Sequence, residues 1–326
     1  MTPKDLKETL ASLHTQKLPL FLWGASGIGK SAIVKELAVQ RDLECIDLHL
    51  SRLDLSDLKS KQLFDDQSMN GSEPFRLPKD ADRGGILILD EIDVANPLIQ
   101  AAAFELGIDR CSGSYHLPDN WAIILSSSTA EYKLAPHIAN SFVHLYMEVS
   151  VEDWRAWAFK AKIEDSIISF ISSHPNALFD YDPYREVKTF ATPRSWSFVD
   201  TILKSKMKEL YLFDAIAGAI GENLATQFLT YQSQTCELPV FHEIFEGRSQ
   251  HYPEDMQSLH KAATVLVSHA LRKPDKRELN HLMRYTLNLH PDFAVKIVSD
   301  LQSQGIRFDR LEAWKPWSEK FSSFLG

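Results

Sequence analysis

The chain has 326 residues, 44 % hydrophobic and 24 % charged, with 44 acidic against 35 basic side chains and a net charge of −9. That length suggests two or three structural units and a sizeable core. The acidic balance disfavours broad binding to nucleic acid or anionic membranes and leaves room only for a local basic channel. No apolar run approaches the ~18 residues that suggest a membrane helix, and the charged N-terminus (MTPKDLKETLASL) has no signal-peptide core. Cys45, Cys111 and Cys236 lie far apart, and the 12 histidines form no HExxH. The expectation is a reducing, cytoplasmic location and no metal beyond Mg²⁺.

In chain order, the spacing of Leu6, Leu10 and Leu13 predicts a helix over Pro3–Leu13. Leu18–Trp23 is an apolar, strand-like run. It leads into Trp23-Gly24-Ala25-Ser26-Gly27-Ile28-Gly29-Lys30-Ser31, which fits the phosphate-cradling pattern G-x-x-x-x-G-K-[ST]. The glycines let the backbone turn tightly with its N–H groups facing an anion. Ser31 opens a helix to Gln40, so the positive end of that helix points at the same anion. Lys30 is expected to reach the β- and γ-phosphates and Ser31 to hold Mg²⁺. Leu43–Leu50 is a second strand. Ser51–Arg83, with Gly71, Pro74 and Pro78, reads as a long loop or insertion, a candidate partner- or pore-facing segment as readily as a plain surface loop.

Gly84–Glu91 is a continuous apolar run that ends in two carboxylates. Such a run predicts a strand buried on both faces of a parallel sheet, and its carboxyl end is where open α/β sheets bind ligands. Asp90 is expected to serve the Mg²⁺ shell and Glu91 to orient or deprotonate the attacking water. Asn96–Asp109 reads as a helix with Pro97 in its first turn. Trp121–Leu125 is another buried strand, followed by Ser126-Ser127-Ser128-Thr129, and Phe142–Val149 is the last. Strands alternating with helices predict an α/β fold with a parallel sheet wrapped on both faces.

From Ser150 the pattern is helical. A capping box at Ser150–Asp153 starts a helix expected to turn Trp154, Trp157 and Ala158 inward. Ile163–Ser173 follows. Thr192-Pro193-Arg194-Ser195-Trp196 starts another helix and leaves Arg194 at its beginning, able to face an anion. Leu212–Tyr231 reads as one helical stretch and Gln232–Pro239 as a linker. Asp255–Leu271, Lys276–Leu289 and Pro291–Gln302 complete the helices, and Trp314, Trp317, Phe321 and Phe324 form an aromatic tail read as core. The expected division is an α/β core over 1–150, a helical lid over 151–235 and a helical extension over 236–326.

With these motifs in order, the chain resembles the MoxR-like AAA+ ATPases, most closely a bacterial and prophage branch, from about Leu18 to Gln232 and more loosely to the end. The pieces that carry the resemblance are FLWGASGIGKS, ECIDLHLSRLDLSDL, GGILILDEIDVANPLIQAAAFELGIDR, GSYHLPDNW, IANSFVHLYMEVSVEDWRAWAF and ATPRSW. The resemblance implies a P-loop αβα core with a helical lid. It also implies a ring, usually hexameric, with ATP between subunits, and chaperone-like remodelling, often beside a protein with a von Willebrand factor A domain. It makes Gly24 to Ser31 the Walker A motif, Asp90-Glu91 Walker B and Arg194 the sensor-2 arginine.

Two positions depart from the family. Ser127-Ser128 stands where a GN pair is usual, so Ser128 replaces the sensor-1 asparagine. Asn140-Ser141-Phe142 stands where N-R-F is usual, so Ser141 replaces the arginine finger. Such a finger is worth about 10³–10⁵ in rate, so its loss points to slow turnover unless Arg110, Arg155 or another subunit's arginine substitutes. Two functions follow from these residues. One is an ATPase that remodels a protein partner, favoured by Glu91; the other is a nucleotide-gated binding module with negligible turnover of its own, favoured by Ser128 and Ser141. A DNA-acting P-loop motor is weakened by the acidic balance.

Overall fold

The computed structural model describes residues 1–53, 77–78, 83–112, 115–129, 132–182, 184–185, 187–234, 238–249, 251–272 and 275–324. Most of the Ser51–Arg83 insertion, and Cys236, lie outside the described residues. The chain divides into two compact units, Met1–Ser150 and Val151–Gly326.

The first unit is a five-stranded sheet between helical layers. Its strands are β1 (Leu20–Trp23), β2 (Glu44–His49), β3 (Gly85–Asp90), β6 (Trp121–Ser127) and β7 (Val143–Tyr146). They lie in the order β2-β3-β6-β1-β7, and every pairing is parallel. All residues of β1, β3 and β6 are buried, as strands covered on both faces must be. A two-stranded hairpin, β4 (Cys111–Ser112) and β5 (Tyr115–His116), precedes β6 and was not legible in the sequence.

Side-chain alternation sorts the sheet into two faces. Phe21, Trp23, Leu87, Leu89, Ile123 and Leu125 pack with Ile99, Ala103 and Leu106 of helix α3 (Pro97–Asp109). Pro97 and the Asn96 side chain, which accepts from Leu98 N at 3.0 Å, start that helix. Asp90 and its same-face neighbours Ile86 and Ile88 point the other way, toward α2 (Lys30–Gln40), as the Ser31–Asp90 hydrogen bond fixes. Helix α1 (Pro3–Leu13) packs on α2 and buries Leu6 and Leu10, with Thr2 as its N-cap. α4 (Pro136–Ala139) leads into β7, which is four residues long rather than the eight expected.

Gly85 opens β3 opposite Trp121, and a Cβ there would sit 2.5 Å from the indole. Trp121 is 2 % exposed, so its ring has nowhere to go. Gly85→Ala is expected to cost about 1–3 kcal/mol through overpacking, read as a lower denaturation midpoint. An unchanged midpoint would mean that the indole swings aside.

The second unit is helical. It comprises α5 (Val151–Ala161), α6 (Asp165–Ser173), α7 (Pro193–Lys204), α8 (Glu209–Ile220), α9 (Glu222–Ser233), α10 (Phe241–Phe245), α11 (Met256–Ala270), α12 (Lys276–Thr286), α13 (Pro291–Ser303) and α14 (Trp314–Lys320). The stretch read as one helix over Leu212–Tyr231 is two, because Gly221 leaves helical conformation at φ 87°, ψ 151°. Trp154 and Ala158 are buried as expected, but Trp157 is 40 % exposed: it sits one position off the α5 stripe that faces the core. Thr192 and Ser195 close a capping box at the start of α7. Phe170, Trp196, Phe228 and Tyr231 form an aromatic core, edge-to-face except for the tilted Phe170–Trp196 pair, and Trp196 Nε1 donates to Ala177 O at 2.7 Å. In the tail, Trp317 and Phe321 are buried, with Trp317 Nε1 donating to Thr286 Oγ1 at 3.0 Å, whereas Phe324 is 48 % exposed.

A charged cluster lies inside this unit. Arg155 of α5 pairs with Asp300 of α13, their side chains 7 % and 13 % exposed. Burial pushes the Asp300 carboxyl up and the Arg155 guanidinium down, against their mutual attraction. Burial, then the nearby Lys296 and Arg155 charges, push His260 down to about 4. A histidine held neutral in the folded state takes up its proton more readily when unfolded. Its contribution is therefore lost as pH falls from about 6.5 toward 4. The denaturation midpoint of the full chain is expected to drop across that window, and His260→Gln to flatten the drop. An unaltered profile would assign the acid sensitivity to other groups.

Candidate functional site

The register aligns Trp23 with Ser127 on one side and Tyr146 on the other, so β1 ends between the carboxyl ends of β6 and β7. The chain leaves β1 in a loop that Gly27 (φ 79°) and Gly29 (φ 108°) carry through left-handed conformations. Gly24 is required for a different reason, space: a Cβ there would sit 2.9 Å from Met147 O. α2 begins at Lys30 behind Gly29 with no side-chain cap, so its first-turn N–H groups face the loop without intrahelical acceptors. This is the geometry of an anion cradle. Lys30 is 7 % exposed, and its Nζ donates to Gly24 O (2.7 Å) and Ala25 O (3.1 Å).

Ser31 Oγ donates to Asp90 Oδ2 at 2.9 Å, which joins the loop to the end of β3. Asp90, 8 % exposed, also accepts from Glu91 N at 2.9 Å and from Ser126 Oγ. A carboxylate surrounded by donors is stabilised in its ionised form. Ser126 was missed by sequence reasoning. The signal was the parallel register, in which Leu89 faces Leu125 and Asp90 therefore falls beside Ser126.

Glu91 sits at φ 61°, a left-handed position for a side-chain-bearing residue. Its carboxylate accepts from Ser51 Oγ and lies 3.7 Å from His49 Nδ1. His49 and Ser51 come from the end of β2, where His49 is in register with Asp90. They too were missed, since nothing local in LHLS marks a contact 40 residues away. Ser128 follows β6; its N–H donates to Asp93 Oδ1 at 3.2 Å, which ties the strand end to the segment after Glu91. The structure thus gathers Gly24, Ala25, Ser26, Gly27, Ile28, Gly29, Lys30, Ser31, Asp90, Glu91 and Ser128 at one end of one sheet.

Arg194 belongs to the second unit, exposed in the first turn of α7. Ser141 Oγ donates to His137 O at 2.9 Å at the end of α4. Arg110 Nη2 donates to Pro118 O (2.9 Å) and Trp121 O (2.8 Å), holding the hairpin that precedes β6. Arg155 is buried on Asp300. Arg110 and Arg155 are therefore each engaged within their own unit.

A glycine-bounded loop between a buried strand and a helix, facing acids on a strand two places away, defines a P-loop nucleotide-binding core. Residues 20–103 match the family model described as "ATPase family associated with various cellular activities (AAA)". The matched segment, about a quarter of the chain, runs from β1 into α3. It includes the loop and the acids but ends before Ser128, Ser141 and Arg194.

Against curated proteins the chain has no match. Among solved structures it is similar to two single-substitution variants of RuvB from Thermotoga maritima. Their identities are 14 % and 12 % and their TM-scores 0.41 and 0.40, with 70 % of this chain and 69 % of each RuvB chain covered. A DNA polymerase III gamma-subunit-related protein of Thermotoga maritima covers 99 % of this chain and 97 % of its own at 12 % identity and a TM-score of 0.38. NtrX from Brucella abortus in complex with ADP covers 99 % of this chain and 68 % of its own at 15 % identity and a TM-score of 0.34. At these scores the fold assignment rests on the chain's own sheet order and on the AAA match. Among the described residues, no helix is long and apolar enough to cross a membrane.

Proposed function

We propose that this chain is an AAA+ ATPase of the MoxR-like type that binds Mg-ATP in the Gly24–Ser31 loop and couples its hydrolysis to remodelling a protein partner. The observation that carries the reading is the joined set of Lys30, Ser31 and Asp90. A buried lysine lies in the loop, and a helix-start hydroxyl is bonded to a strand-end carboxylate at 2.9 Å. A phosphate among the loop N–H groups would take over the Lys30 ammonium from the Gly24 and Ala25 carbonyls. Ser31 and Asp90 supply an oxygen pair of the kind Mg²⁺ favours, Asp90 most simply through water. Bound Mg²⁺ would neutralise charge on the phosphates. Glu91 would orient the attacking water or accept its proton. Ser128 would hydrogen-bond a water or phosphate oxygen, and Arg194 would read the γ-phosphate from the helical unit. That unit is proposed to act as a lid over 151–235 followed by a separate extension over 236–326.

By the same resemblance, the working form is a cytoplasmic ring, hexameric by preference, with a von Willebrand factor A-domain protein as a candidate partner. A second reading is favoured by Ser141 and by the engagement of Arg110 and Arg155. In it, ATP holds the assembly together and turnover is negligible without an arginine from a different subunit. Steady-state ATP hydrolysis by wild type beside Ser141→Arg separates the two. If the missing finger limits the rate, Ser141→Arg raises turnover by about tenfold or more, within the 10³–10⁵ that a finger supplies. Turnover already well above the Lys30→Ala and Glu91→Gln backgrounds and unaltered by Ser141→Arg favours the autonomous motor. No turnover in any form, with Mg-ATP still bound, favours the gated module.

A further inference from the structure

Two side chains at the end of the β2–β3 ladder, Asp47 and His49, have no part in the nucleotide reading, and they meet Asp90, which has one. Asp47 and His49 are two residues apart on β2 and so share a face, and His49 is directly opposite Asp90 on β3. One ligand atom from each, a carboxylate oxygen from Asp47 and Asp90 and a ring nitrogen from His49, lie within 4.8 Å of one another. The Asp47 side chain is 8 % exposed, and its Oδ2 holds Lys35 Nζ at 2.7 Å. Among the described residues its other oxygen, Oδ1, is buried with no hydrogen-bond partner, and so is His49 Nδ1. Buried polar atoms left without a partner are costly unless something else satisfies them.

We propose that Asp47, His49 and Asp90 form a binding site for a transition-metal dication, Zn²⁺ or Mn²⁺ in type, separate from the Mg²⁺ of the nucleotide. Among the described residues neither orphan is answered: Glu91 Oε1 at 3.7 Å is beyond hydrogen-bond range of His49 Nδ1, and Asp47 Oδ1 has no donor. A dication answers both at once. The charge also suits it: Lys35 neutralises Asp47, while Asp90 and the nearby Glu91 leave two negative charges to balance. A ligand set of one imidazole and two carboxylates favours Zn²⁺ or Mn²⁺ over Mg²⁺, which prefers oxygen and its own waters. Ligands of a tetrahedral ion with bonds of about 2.1 Å stand about 3.4 Å apart, so the cluster must close by roughly 1 Å, a side-chain adjustment. Water completes the shell.

The site rests on the β2–β3 geometry alone. One consequence rests on the proposed ATPase function. The ion shares Asp90 with Ser31, so loading it draws Asp90 away from the phosphate loop and competes with Mg-nucleotide.

The test uses the full chain free of nucleotide and Mg²⁺, titrated with Zn²⁺ by calorimetry and with Co²⁺ by its visible absorption. The expected result is one ion per chain, weakened at least about tenfold by Asp47→Asn and by His49→Gln. Asp47→Asn also deprives Lys35 of its partner and can cost folding. His49→Gln, on a side chain 32 % exposed, keeps the test decisive, with circular dichroism checking that the variant is folded. Lys30→Ala is expected to lose nucleotide and keep the ion, so failure of the metal site and failure of the nucleotide site are read separately. No Zn²⁺ or Co²⁺ binding at millimolar concentration, or binding that His49→Gln leaves unaltered, overturns the proposal; the latter result would assign the ion to other histidines.

Discussion

Glu91→Gln is expected to lower steady-state ATP turnover by about 10²–10⁴-fold while Mg-ATP affinity stays within a few-fold of wild type. The amide keeps the size of the carboxylate and an oxygen able to accept from Ser51 Oγ, so the strand end and the neighbouring Asp90 cluster stay intact. What is lost is the basic lone pair on the group that would take the water's proton. The backbone at φ 61° is no harder for glutamine than for glutamate, so no folding penalty accompanies the change. Hydrolysis measured by phosphate release, beside nucleotide titration of the same sample, checks both halves. Equal loss of binding and turnover would mean that Glu91 holds the site together rather than acting on water. A wild type already at the variant's level would favour the gated module.

Lys30→Ala is expected to weaken nucleotide binding by about 10–150-fold, the equivalent of the ~1.5–3 kcal/mol of a charge-assisted hydrogen bond. The lysine is 7 % exposed and sits against Gly24 O and Ala25 O, so its ammonium lies inside the loop rather than sweeping solvent. Truncation removes the one side-chain cation that the described loop holds within reach of a bound phosphate. It also leaves those carbonyls without that donor, so part of the loss is loop order. Fluorescent-nucleotide titration measures the affinity, and a denaturation midpoint close to wild type would show that the loss is local. Undiminished affinity would remove the central support of the proposed function.

The site was legible in the sequence to the extent that its chemistry is contiguous. The loop residues Gly24 to Ser31 are adjacent in the chain, and their spacing alone encodes strand, turn and helix. Asp90 and Glu91 close an apolar run too continuous to be anything but a doubly covered strand. Those runs, with helices between them, were enough to predict a wrapped parallel sheet. What was not legible is everything set by strand order. β6 lies between β1 and β3, which puts Ser126 on Asp90; β2 lies outside β3, which puts His49 and Ser51 beside Glu91 and brings Asp47 and His49 to Asp90. No local pattern in SSST or LHLS reports these contacts, because the residues that meet are 36 and 40 positions apart and meet only through register.

The same division holds for what the sequence read wrongly. A helical period over Leu212–Tyr231 survives a single glycine, so periodicity did not reveal that Gly221 breaks the stretch in two. Trp157 was assigned to a core that the actual rotation of α5 gives to Trp154 and Ala158 instead. Arg110 and Arg155 looked available because charge in a sequence carries no record of its partner, and folding has given each one: the Pro118 and Trp121 carbonyls for Arg110, Asp300 for Arg155. By itself, then, the sequence determined a P-loop α/β core with its glycine loop and the acids that end β3, because local spacing dictates local backbone. Only the tertiary structure decided which distant side chains complete Asp90 and Glu91 and which arginines are already engaged, because those are properties of strand order, register and burial that no local segment contains.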